Sequence, residues 1–158
     1  MRRRILYLTL GLIATVALAK PSSAVDNRSF AVHLVGSEET PPNNSMAQGE
    51  ATFLISRDGM SINFRVIVSH IENVRASHIH IAAPGVAGPI VVPLFLGPTI
   101  SGPFNGVLAQ GSFSAADLTG PLAGQPLSAL IEYMNSGGAY VNVHTDQIPS
   151  GEIRGQFK

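Results

Sequence analysis

The chain has no cysteine and no tryptophan. The missing thiol excludes disulfides, thiol catalysis, thiolate metal ligands and a lipid-modified cysteine, so stability must come from burial and backbone pairing. Charge is also sparse, at 13% of residues, and positive charge is thin beyond the first 24 positions. Arg2, Arg3, Arg4 and Lys20 are four of the ten basic residues, and no acid precedes Asp26. The 134 residues from Val25 onward therefore carry six basic and ten acidic side chains, a net charge of −4. Nothing there forms a basic run, which argues against nucleic acid or an anionic membrane as partner. Familiar catalytic signatures are missing too: there is no GxSxG elbow, HExxH helix, glycine-rich phosphate loop or EF-hand loop.

What is present begins with a leader. MRRR is followed by the uncharged apolar run Ile5 to Ala19 and then by small residues, with Ser22-Ser23-Ala24 before the expected cut. That is the pattern of a secretory signal peptide over residues 1–24, leaving residues 25–158 as one domain. The run falls short of the roughly 20 apolar residues that span a bilayer, so no integral membrane span is expected after cleavage. The expected location is secreted or periplasmic.

The rest of the chain is dominated by period-two alternation, the pattern of half-buried strands. Ala51, Phe53 and Ile55 alternate with Thr52 and Leu54, and Ile62, Phe64, Val66 and Val68 alternate with Asn63, Arg65 and Ile67. Between them Asp58-Gly59 predicts a hairpin, because both residues tolerate the positive φ of a tight turn. Further strands are predicted at 29–35, 76–82, 90–95, 104–113, 139–144 and 152–157. Gly-Pro and Pro-Gly pairs punctuate them. One segment departs from alternation: Leu127, Leu130, Ile131 and Met134 recur at helical spacing before Gly137-Gly138, which predicts one short helix near 126–136. The fold class is an all-β antiparallel sandwich, immunoglobulin-like or superoxide-dismutase-like, with that helix inserted late.

Three of the five histidines share a pattern. His78 and His80 in SHIHIA are one residue apart, so on a strand both project from one face, with Cα atoms about 6 to 7 Å apart. In YVNVHT, Val141 and Val143 take the core side, and Tyr140, Asn142 and His144 take the other. If the two strands are neighbours, three neutral imidazoles converge. Three histidines with one open position suit zinc or type-2 copper. Each second ring nitrogen then needs a carboxylate or carbonyl, and Asp146 and Glu152 are the nearest acids in sequence. Glu152 and Arg154, two apart on a strand, are expected to form an ion pair on its outer face. His33 and His70 read as structural or surface residues.

These motifs sit in longer blocks: HLVGSEETPP (His33–Pro42), ASHIHIAAPGVAGPIVVPL (Ala76–Leu94), SAADLTGPLAG (Ser114–Gly124) and YVNVHTDQIPSGEIRGQ (Tyr140–Gln156). Together they resemble the CHRD domain, the repeated module of the extracellular antagonist chordin, which also occurs singly in exported microbial proteins. The resemblance spans about residues 30–157 and implies an exported β-sandwich. It delivers no enzymatic activity, and it implies that His78, His80 and His144 belong to the family's motifs. Where family members often have glycine after the HIH segment, this chain has Ala82-Ala83. Three functional readings follow. The first is a binding module for a protein or an envelope or extracellular ligand. The second is a copper- or zinc-holding domain, redox-active in the manner of the copper/zinc superoxide dismutase sandwich but without its disulfide and longer ligand set. The third is a purely structural surface protein.

Overall fold

The computed structural model describes residues 28–158; the leader expected over residues 1–24 lies outside them. Seven strands and one helix follow in order: β1 (Ser29–Val35), β2 (Gln48–Ile55), β3 (Ser61–Ile81), β4 (Ile90–Phe95), β5 (Ile100–Ser114), α1 (Leu127–Asn135), β6 (Ala139–Thr145) and β7 (Ile153–Gln156). All pairings are antiparallel. The Asp58-Gly59 hairpin forms as expected, joining β2 to β3 with Ile55 opposite Ile62. Gly59 takes a φ of 70°, and the Asp58 carboxylate accepts from the Ser56 hydroxyl and the Met60 N–H.

The all-β antiparallel class with one late helix holds, but the strands are not divided into two separate sheets. Hydrogen bonding runs β2-β1-β7-β6-β3 and returns from β3 to β2, so five strands close into a ring. β4 and β5 attach to β3 outside it. Closure depends on the length of β3. Its first part pairs with β2, through Ser69, and its last part, Val74–Ile81, pairs with β6.

Sequence alternation divides β3 in two because its phase changes three times between Val68 and Ser77. Buried positions run Ile62, Val66 and Val68, then Ile71, then Val74, then Ser77 and Ile79. One change falls at the register shift between Val74 and Ala76; the other two fall at His70 and Asn73, both with left-handed φ (53° and 52°). These are β-bulges, which bend a strand and increase its twist without ending it. β5 pins both: Asn105 Oδ1 accepts from the His70 N–H, and Asn73 Oδ1 accepts from the Gly102 N–H.

The apolar faces point inward as the alternation requires. Phe157, fully buried, packs edge-on against Phe30 (5.6 Å between centroids) and tilted against Phe53 (5.0 Å). Leu127, Leu130 and Met134 of α1 are buried against the same core. The opposite face of β3, β6 and β7 carries the polar residues, and it is not open to solvent. The loop of residues 36–47 and the loop of residues 82–89 roof it: Asn43 donates to the Glu152 carbonyl, and Gln156 donates to the Ala82 carbonyl.

Candidate metal centre

Register places the candidate residues in rows across three strands. His80 lies opposite Tyr140, which lies opposite Gln156; His78 lies opposite Asn142, which lies opposite Arg154; His144 lies opposite Ala76. β3 and β6 are thus neighbours, and the three imidazoles meet. One ring nitrogen from each of His78, His80 and His144 lies within 4.8 Å of the other two. His78 Nδ1 and His144 Nε2 are 3.2 Å apart. Without an ion that contact is a hydrogen bond, His78 Nδ1–H donating to His144 Nε2; nitrogens about 2.0 Å from a tetrahedral ion would stand a similar distance apart, about 3.3 Å.

Backbone carbonyls orient two of the rings. His80 Nδ1 donates to the Gly88 carbonyl at 2.9 Å, and His144 Nδ1 donates to the Pro149 carbonyl at 3.0 Å. Each bond fixes the tautomer and leaves Nε2 as a lone-pair donor. His80 Nε2 is buried and has no hydrogen-bond partner, and Asn142 Oδ1 is likewise buried and unpartnered. An unmet buried polar atom costs about 1 to 3 kcal/mol, so these two atoms, on side chains that face each other beside the imidazole cluster, are the site's unsatisfied polar groups.

Electrostatics keep the rings neutral. Burial pushes His78 down to about 4, with further lowering from the neighbouring His144 and His80. Burial also lowers His80 and His144, opposed in each by its carbonyl partner. All three are therefore uncharged at neutral pH, the state a metal requires.

A second layer stands behind His80. Tyr140 stacks on it almost parallel, with centroids 4.7 Å apart and planes 7° off. The Gly88 N–H donates to the Tyr140 hydroxyl while the Gly88 carbonyl holds His80. Only glycine fits there, since a Cβ would come within 2.1 Å of the Ile81 carbonyl oxygen. Across the strand, the Arg154 guanidinium lies 3.4 Å over the Tyr140 ring. Arg154 is 2% exposed and donates to Thr40 Oγ1 and to the carbonyls of Val86 and Ala83, and to Gln156 Oε1.

These contacts correct three expectations. Glu152 and Arg154 form no ion pair on an outer face. Strand alternation does put Arg154 beside Asn142, but the two loops roof that face and take its donors. Glu152 precedes β7, and its carboxylate accepts from Ser45 Oγ and Thr145 Oγ1, both at 2.6 Å. Asp146 pairs instead with Arg75 at 3.3 Å on the surface. Neither acid accepts from a histidine; main-chain carbonyls do. His33 is an exposed position of β1, and His70 is an exposed bulge residue.

Sequence reasoning missed Glu39. It is 6% exposed, and one carboxylate oxygen, Oε1, has no partner. Burial pushes it up to about 7, against the Thr40 N–H and the nearby Arg154 charge, which lower it. The only signal was the run Glu38-Glu39 inside an irregular loop. Adjacent side chains point apart, and Glu38 does face outward towards Lys158.

Residues 30–157 match the family model described as the CHRD domain. No curated protein and no solved structure matches the chain. Among the described residues no helix is long and apolar enough to cross a membrane.

Proposed function

We propose that this chain, which belongs to the CHRD-domain family, works outside the cytoplasm as a binding module that holds one copper or zinc ion. The export part of this reading rests on the leader at residues 1–24, with residues 25–158 as the working domain. The ligands are His78, His80 and His144. The observation that supports the reading is the convergence of three buried or half-buried imidazoles, one ring nitrogen of each within 4.8 Å of the others, with His80 Nε2 buried and unpartnered while Gly88 holds its Nδ1. Asn142 lines the site, Tyr140 and Arg154 back it, and Glu152 and Asp146 serve the surrounding structure. Among the described residues no Asp or Glu joins the three-histidine cluster, which suits borderline metals and disfavours calcium and magnesium.

The test is metal titration of tag-free protein beside His144→Ala. One copper or zinc ion per chain is expected, with affinity falling at least about 100-fold on loss of one of three ligands. No binding, or binding unchanged in the variant, overturns the reading.

A further inference from the structure

The surroundings of the centre also bear on the charge of the ion it takes, an inference that rests on the metal-binding reading above. All three ligands are neutral imidazoles, so a bound ion keeps its full formal charge in a site where His78 and His80 are 8% and 7% exposed. Close by is a second, permanent positive charge. The guanidinium of Arg154 sits over Tyr140, and Tyr140 stacks on His80; since β6 runs between β3 and β7, the three groups lie in sequence across the sheet. Among the described residues no carboxylate forms an ion pair with Arg154; its four terminal N–H bonds all go to uncharged oxygens. Burying an arginine without an anion is unfavourable unless the fold uses the charge.

Three nearby acids could offset that charge. Glu38 stands at the exposed edge, accepting from the Gln156 N–H and pairing with Lys158. Glu152 is turned to Ser45 and Thr145. Glu39 is the carboxyl that feels Arg154, and its burial keeps it from being fully ionised near neutral pH. At and below neutral pH the ion and the guanidinium therefore face each other with only partial compensation. At pH 8, where Glu39 is mostly ionised, its carboxylate offsets part of the field, and Glu39→Gln removes that offset.

We infer that this centre discriminates by ionic charge and is a site for the cuprous ion rather than for cupric or zinc ion. The two stacking distances, 3.4 and 4.7 Å, place the guanidinium carbon no more than about 8 Å from the His80 ring centre. An ion about 2 Å from Nε2 would therefore lie within about 11 Å of that carbon. One extra unit of ionic charge there, at an effective dielectric near 20, changes affinity roughly tenfold. A cuprous ion carries half the charge of its competitors and accepts three-coordinate imidazole ligation without a carboxylate.

The experiment measures cuprous, cupric and zinc affinities at pH 8, the cuprous titration being anaerobic against a competing chelator. The variants are Arg154→Gln, Arg154→Lys and Glu39→Gln. The wild-type protein is expected to bind cuprous ion more tightly than cupric ion. The cuprous-to-zinc affinity ratio should fall roughly tenfold in Arg154→Gln, hold in Arg154→Lys, and rise in Glu39→Gln. A ratio reports charge, whereas a loosened loop weakens both ions together. Tighter cupric binding, or a ratio unmoved in Arg154→Gln, overturns the inference. Should Arg154→Gln fail to fold, an unmoved ratio in Glu39→Gln overturns it equally. If none of the three ions binds the wild-type protein, the metal-binding reading falls first.

Discussion

Glu39→Gln tests whether the polar face of β6 and β7 is as dry as the packing implies. Glu39 is 6% exposed, and burial raises its carboxyl from 4.5 to about 7. Between those values the unfolded chain releases this proton while the folded chain keeps it. Folded protein therefore binds more protons, and its stability falls as pH rises through that window. At about 1.4 kcal/mol per unit, the full effect at pH 8 is about 3 kcal/mol, an upper figure because the carboxyl can turn towards water. Glutamine keeps the size and the oxygen that accepts from Thr40, but it never ionises. Urea unfolding of both proteins from pH 4.5 to 8 should show the variant gaining up to about 3 kcal/mol on wild type across that range. A new buried N–H group adds a constant offset, so the slope is diagnostic. A stability difference independent of pH would refute the reasoning and put Glu39 in water.

Other expectations follow from the same geometry. His78 titrates at about 4 when folded, from an ordinary 6.5. The metal-free protein should therefore lose up to about 3 kcal/mol as pH falls from 6.5 to 4, and His78→Asn should flatten that loss in pH-dependent unfolding. Gly88→Ala drives a Cβ into the Ile81 carbonyl; it should cost about 2 kcal/mol or more and weaken metal binding, measured by thermal melting and titration. Phe157→Ala removes a fully buried ring touching Phe30 and Phe53. A loss of about 3 to 5 kcal/mol in denaturant unfolding is expected, with little change in metal affinity for whatever fraction stays folded.

How much of this was legible in the chain follows from what alternation encodes. It tells which residues share a face, so His78 with His80, and Tyr140 with Asn142 and His144, were readable. It does not tell which strands are neighbours, and the convergence of three imidazoles depends on the β3–β6 register. Nor does it tell what covers a face. Alternation puts Arg154 in an outer ion pair because a charged residue on a strand ordinarily faces water, whereas here loop carbonyls at 83 and 86 take its donors. Alternation alone splits the 21-residue β3 into two strands because the bulges at His70 and Asn73 reset its phase, and that same bent strand closes the ring. Glu39 lay in a loop with no periodicity to read. Its burial is set by contacts far along the chain, near Gly151 and Arg154.

The central claim is that His78, His80 and His144 act as one ligand set. Its most direct test is X-ray absorption on tag-free protein loaded with one equivalent of copper or zinc. Three imidazole nitrogens at about 2.0 to 2.1 Å are expected around the ion, reduced to two in His144→Ala. An unbound ion, or a shell with fewer than three imidazoles that His144→Ala leaves unchanged, would contradict it.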